Sequence, residues 1–155
     1  MKYVIGIGNY AMGDDGIGLR LVEAMAERGL GEGFELVEIA HDALRLLEYF
    51  TPDTEQILLI DCVTGGARPG EHRFFTPAEV ETRKDLSGFT THEGDVLQAL
   101  TLAWGLAQPV PPLTILGIEP ERMAPEPGLS PALELRFEEY VAAVLDHIRR
   151  GTAPG

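Results

Sequence analysis

Three acids and a histidine hold the positions where an α/β chain of 155 residues would do its chemistry. Asp14 and Asp15 follow a short apolar run, Tyr3 to Ile7, and a loop punctuated by Gly6, Gly8 and Gly13. Asp61 interrupts the most continuously apolar stretch of the chain, Gln56 to Val63, and His92 lies in Thr90-Thr91-His92-Glu93, which fits the Ser/Thr-x-x-Glu box that opens helices. Two carboxylates and an imidazole suit divalent nickel, zinc or iron, and three protein ligands leave positions open for a further ligand or water. A carboxylate so placed can also act as a general base. Plainer readings stand beside these. Asp14 and Asp15 could do no more than start a helix, where the macrodipole favours acids, and His92 could be a capping or core histidine. Asp61 is harder to explain away, because a buried carboxylate left without partners is costly.

For these residues to meet, secondary structure must bring them to one edge. The opening run reads as a strand, and Ile17, Leu21, Ala24 and Met25 recur at helical spacing until Gly29. Phe34 to Ile39 reads as a second strand, and Ala43 to Phe50 as a short amphipathic helix presenting Leu44, Leu47 and Phe50. Gln56 to Val63 is apolar on both faces, as a strand covered by helices on each side must be. Residues 64–70 form a loop, Glu71 to Phe75 a short edge or antiparallel strand, and Glu79 to Gly88 show no confident period. A helix behind His92 shows Val96, Leu97, Leu100, Ala103 and Trp104 on one face; Leu113 to Glu119 is another buried strand. After a proline-rich loop, one last helix runs from the cap Ser130 through Pro131 to Ile148 and stops at Gly151.

This alternation predicts an α/β fold: a three-layer sandwich with a mostly parallel twisted sheet of about five strands and helices on both faces. Residues 1–150 are expected to form a single α/β domain and 151–155 a flexible C-terminal tail. Right-handed crossovers give the strand order 2-1-3, which sets Asp15 and Asp61 across one crevice at the carboxyl ends of the strands, with His92 reaching the same edge. Asp14, His41, Asp42 and Glu119 could join them there. His72 and His147 read as ordinary, and Cys62 as a buried inert thiol on the face opposite Asp61.

A net charge of −13 argues against nucleic acid and anionic membrane surfaces as partners. One cysteine rules out an internal disulfide. With no membrane-length apolar run and no secretory leader, the expected location is the cytoplasm.

The Gly6–Gly18 pattern Gly-x-Gly-Asn-x-x-x-Gly-Asp-Asp-Gly-x-Gly, the strand end Leu58-Leu59-Ile60-Asp61, the Thr90-Thr91-His92 segment and Leu116-Gly117-Ile118-Glu119-Pro120 together resemble the nickel–iron hydrogenase maturation endopeptidases. The resemblance implies a sheet sandwiched by helices and a metal held by Asp15, Asp61 and His92; the catalytic role expected of Asp15 or Asp61 is that of a general base activating water. It implies an endopeptidase that removes the C-terminal extension of a nickel-loaded hydrogenase large-subunit precursor, the nickel coming with the substrate as the recognition signal. Zinc, cadmium or another divalent ion could fill the same place in vitro. The chain departs from the pattern at Ala40-His41-Asp42-Ala43, where many members carry an Asp-Gly-Gly-Thr-type loop, and at Asp15, where relatives can have glutamate.

Two other readings remain open at this stage. Gly6 to Ala11 loosely satisfies a dinucleotide fingerprint, but the acid expected about 20 residues further on arrives as Glu38 about 27 residues on, and Asp14 and Asp15 would repel phosphates. A non-catalytic metal-binding or adaptor protein would keep the ligands and drop the proteolysis.

Overall fold

The structure, a computed structural model, describes residues 1–40, 42–79 and 91–150, of which 91–95 by backbone alone. Five strands, β1 (Lys2–Gly6), β2 (Glu35–Glu38), β3 (Gln56–Cys62), β4 (His72–Phe75) and β5 (Leu113–Ile118), form one sheet in the order β2-β1-β3-β5-β4. All neighbours are parallel except β4, which runs antiparallel to β5 at one edge. The predicted 2-1-3 order is therefore present, extended by two strands.

β3 is buried along all seven residues because both of its faces are covered. Leu58, Ile60 and Cys62 pack with Leu21 and Met25 of α1 (Ile17–Glu27) and with Tyr140 and Val144 of the C-terminal helix. Ile57 and Leu59 pack with Leu46, Val96, Leu100 and Ala103 on the other face. The last three belong to α2 (Thr91–Gly105). Each face thus takes every second strand residue, which makes the three layers.

Three elements differ from the sequence reading. Ala43–Tyr49 is a 3-10 helix, not an amphipathic α-helix. At three residues per turn, Ala43 and Leu46 face the core together while Leu44 is left exposed. In α2 the buried stripe is Val96, Ala99, Leu100 and Ala103, and Trp104 is 59% exposed. Each step of four advances about 40° around a helix, so by Trp104 the row has drifted off the sheet and the small Ala103 takes the contact. The final helix is two: α3 (Pro131–Leu135) and α4 (Phe137–Arg150), separated at Arg136. Ser130 precedes α3 but makes no side-chain cap, since its hydroxyl is committed elsewhere.

Candidate functional site

The glycines of the first loop set the geometry. A Cβ on Gly18 would lie 2.4 Å from the Ile60 carbonyl oxygen, and one on Gly6 would lie 2.4 Å from that of Gly18. The first turn of α1 therefore rests directly on the ends of β1 and β3. Gly8, at φ +150°, would bring a Cβ within 2.0 Å of the Asp15 carbonyl. No side chain fits at these three positions.

This close packing carries the 3-10 turn Gly13–Gly16 onto β3. Asp15 in that turn and Asp61 near the end of β3 are both buried, at 4% and 1% exposure. Asp61 Oδ1 accepts the backbone N–H of Cys62 at 2.8 Å. Strand alternation turns Asp61 to the side of Leu59, the face on which α2 lies, and His92 is in the first turn of that helix. The side chain of His92 lies outside the described residues, as does His41. Among the described residues, no three histidine, cysteine, aspartate or glutamate side chains gather as a metal-holding group.

The charge at this edge registers on Cys62. Burial, and then the negative charges of Asp61, Asp15, Asp14 and Glu119, push its thiol pKa far above the ordinary cysteine value. Four carboxylates thus lie within electrostatic range of Cys62 near the carboxyl ends of β1, β3 and β5. Cys62 itself points to the α1 face, with Sγ 3.9 Å from Met123 Sδ.

The other sequence candidates fall into structural roles. Asp14, fully buried, accepts from the backbone N–H groups of Glu121, Arg122 and Ser130 and from the Ser130 hydroxyl. It fixes the 120–130 loop and has little capacity left for a ligand. Glu119 accepts at Oε1 from the N–H groups of Gly65 (2.9 Å) and Ala67 (3.0 Å), with Arg73 at 4.0 Å, and so holds the loop after β3. Asp42 is exposed at the start of the 3-10 helix. His72 packs edge-on to Phe74 and Tyr140, and His147 stacks on Phe74.

Tyr10 and Arg20 belong near the site but carry no motif. The Tyr10 hydroxyl reaches Glu23 at 2.8 Å and Glu38 on β2, while the Arg20 guanidinium lies over the Tyr10 ring at 5.2 Å. The Tyr10-to-Arg20 spacing crosses the glycine loop, so only the folded loop brings the two together.

A family model described as hydrogenase maturation protease matches residues 19–147. The chain belongs to that family. The matched stretch includes Asp61 and His92 and begins just after Asp15. The hydrogenase 2 maturation protease of Escherichia coli is 28% identical over 149 residues, covering 94% of this chain and 89% of that protein. The hydrogenase expression/formation protein HupD of Rhodobacter capsulatus is 26% identical over 148 residues, covering 94% and 70%. Among solved structures, the hydrogenase maturating endopeptidase HybD from E. coli superposes with a TM-score of 0.80 at 22% identity, covering 96% of this chain and 92% of that one. The [NiFe] hydrogenase maturation protease HybD from Thermococcus kodakarensis gives 0.74 at 23%, covering 95% and 99%. The α/β fold is therefore that of the hydrogenase maturation proteases, and the chain is a peptide hydrolase of that family. The dinucleotide-binding reading gives way to this family match. Among the described residues, no helix is long and apolar enough to cross a membrane.

Proposed function

We propose that this protease removes the C-terminal extension of a [NiFe]-hydrogenase large-subunit precursor and engages it through nickel already bound to that precursor. The observation that carries the reading is the burial of Asp15 and Asp61 at one sheet edge, brought there by Gly8 and Gly18, in a chain of this family. Asp15, Asp61 and His92 supply oxygen and imidazole donors. The precursor's thiolates would supply the soft ones, so that enzyme and substrate share one ion. Docking of this kind fixes the scissile peptide relative to the two carboxylates, and positioning alone can account for a large part of a rate enhancement. Either Asp15 or Asp61 can then take the proton from an attacking water.

The test incubates the purified protein with nickel-loaded precursor, nickel-free precursor and casein. Cleavage of the nickel-loaded form alone is expected, with loss of cleavage in Asp15→Asn, Asp61→Asn and His92→Ala. Cleavage of casein, or equal cleavage of both precursor forms, would show the reading to be wrong.

A further inference from the structure

A cavity of about 550 Å³ opens between α1, the loop before α3 and the junction of α3 and α4, lined by Arg20, Glu23, Gly128, Leu129, Glu134 and Phe137. It adjoins the turn that carries Asp14 and Asp15 in two ways. The loop that supplies Gly128 and Leu129 is held by Asp14 through Ser130. Arg20 reaches back along the helix until its Nε would lie 3.6 Å from a Cβ on Gly16, the residue after Asp15.

The charged groups in its wall differ in what they have left to offer. Arg20 Nε is buried and has no hydrogen-bond partner. The guanidinium face is engaged by the Tyr10 ring. Glu23 gives one oxygen to Tyr10 and Glu134 is exposed. The cavity therefore carries two carboxylates against one guanidinium, in a chain of net charge −13. An anionic occupant would meet repulsion from both carboxylates. A lysine or arginine side chain would lay its aliphatic stem along Leu129 and Phe137 and bring its charged head to Glu23 and Glu134.

We infer that this cavity is a docking pocket for a basic residue of the hydrogenase precursor, beside the sheet edge that carries Asp15 and Asp61. The inference rests on the proposed function for the identity of its partner. It adds a contact that does not depend on nickel.

The test compares wild type, Glu134→Arg and Glu32→Arg. The third protein carries the same change of charge on an exposed residue of the loop before β2, away from the cavity. KM and kcat are measured with nickel-loaded precursor, and affinity with nickel-free precursor by calorimetry. Glu134→Arg should raise KM and weaken calorimetric binding roughly three- to tenfold with kcat unchanged, while Glu32→Arg behaves as wild type. Equal values for Glu134→Arg and wild type, or equal weakening in both variants, would overturn the pocket. If wild type binds the precursor without cutting it, the proteolytic reading fails and calorimetry still decides the pocket; if it does not bind, both fail.

Discussion

Asp14 and Ser130, 116 positions apart, are joined by two hydrogen bonds of 2.7 Å, one from the serine N–H to Oδ1 and one from its hydroxyl to Oδ2. With the N–H groups of Glu121 and Arg122 also on Oδ2, each at 2.8 Å, this buried carboxylate is the clamp of the 120–130 loop. Its neighbour Asp15 lies in the same 3-10 turn and points to a different task.

The two acids should therefore separate by experiment. Asp14→Ala strands four donors at a buried position and should cost about 3 kcal/mol or more in denaturant unfolding, with Ser130→Ala costing about 1 kcal/mol. Asp15→Asn should abolish precursor cleavage while moving the unfolding midpoint far less. A large stability loss at Asp15 with none at Asp14 would reverse these roles.

Gly18→Ala tests the close approach that carries the site. The added methyl would stand 2.4 Å from the Ile60 carbonyl and 2.9 Å from that of Ile7. Backbone must move to relieve it, at about 1–3 kcal/mol. Because α1 would lift from β3, Asp15 would shift relative to Asp61. Cleavage should fall much more than the stability loss explains when measured where the variant is still fully folded. Gly29→Ala, with open space around it, serves as a contrast, costing only the strain of its φ of +68°.

Stability should also respond to mild acid through His147. Burial and then the charge of Arg150 lower its pKa, and Asp146 acts in the opposite direction. The folded state holds this proton less tightly than the unfolded chain, whose histidine titrates near 6.5. Its contribution is thus present above pH 6.5 and is lost as the pH falls below that value. Unfolding midpoints at about pH 7.5 and about pH 5.5 should differ less in His147→Gln than in wild type. An unchanged difference would assign the acid sensitivity to other groups.

How far the sequence discloses this molecule depends on the range of the interaction involved. β3 and its place at the centre are legible because Ile57 to Ile60 are apolar on both faces, and only a doubly covered strand can bury such a run. The 2-1-3 order follows from the handedness of the crossovers. The 3-10 form of Ala43–Tyr49 is not legible, since over seven residues periods of 3.0 and 3.6 diverge by only about one position. Asp14 and Asp15 look alike in sequence, and what distinguishes them is Ser130, distant along the chain. Local pattern gives Ser130 to the helix it precedes, whereas the fold gives its hydroxyl to Asp14. Arg20 and Glu134 have no motif at all, because a pocket between α1 and α3 exists only after both have packed.

Cys62, the one cysteine of the chain, has a nucleophile's chemistry and adjoins Asp61. The thiolate is the reactive form of cysteine, and here burial together with four nearby carboxylates opposes its formation. The side chain also faces away from Asp61, into the core formed with Ile60 and Ile118. It should therefore take no part in cleavage. Cys62→Ala should cleave nickel-loaded precursor at close to the wild-type rate, with a stability loss of about 1 kcal/mol from the small cavity it leaves. Iodoacetamide should label the native protein slowly and the denatured protein readily. Rapid labelling of the native thiol, with loss of cleavage in step with it, would move the nucleophile from a water at Asp15 and Asp61 to the cysteine.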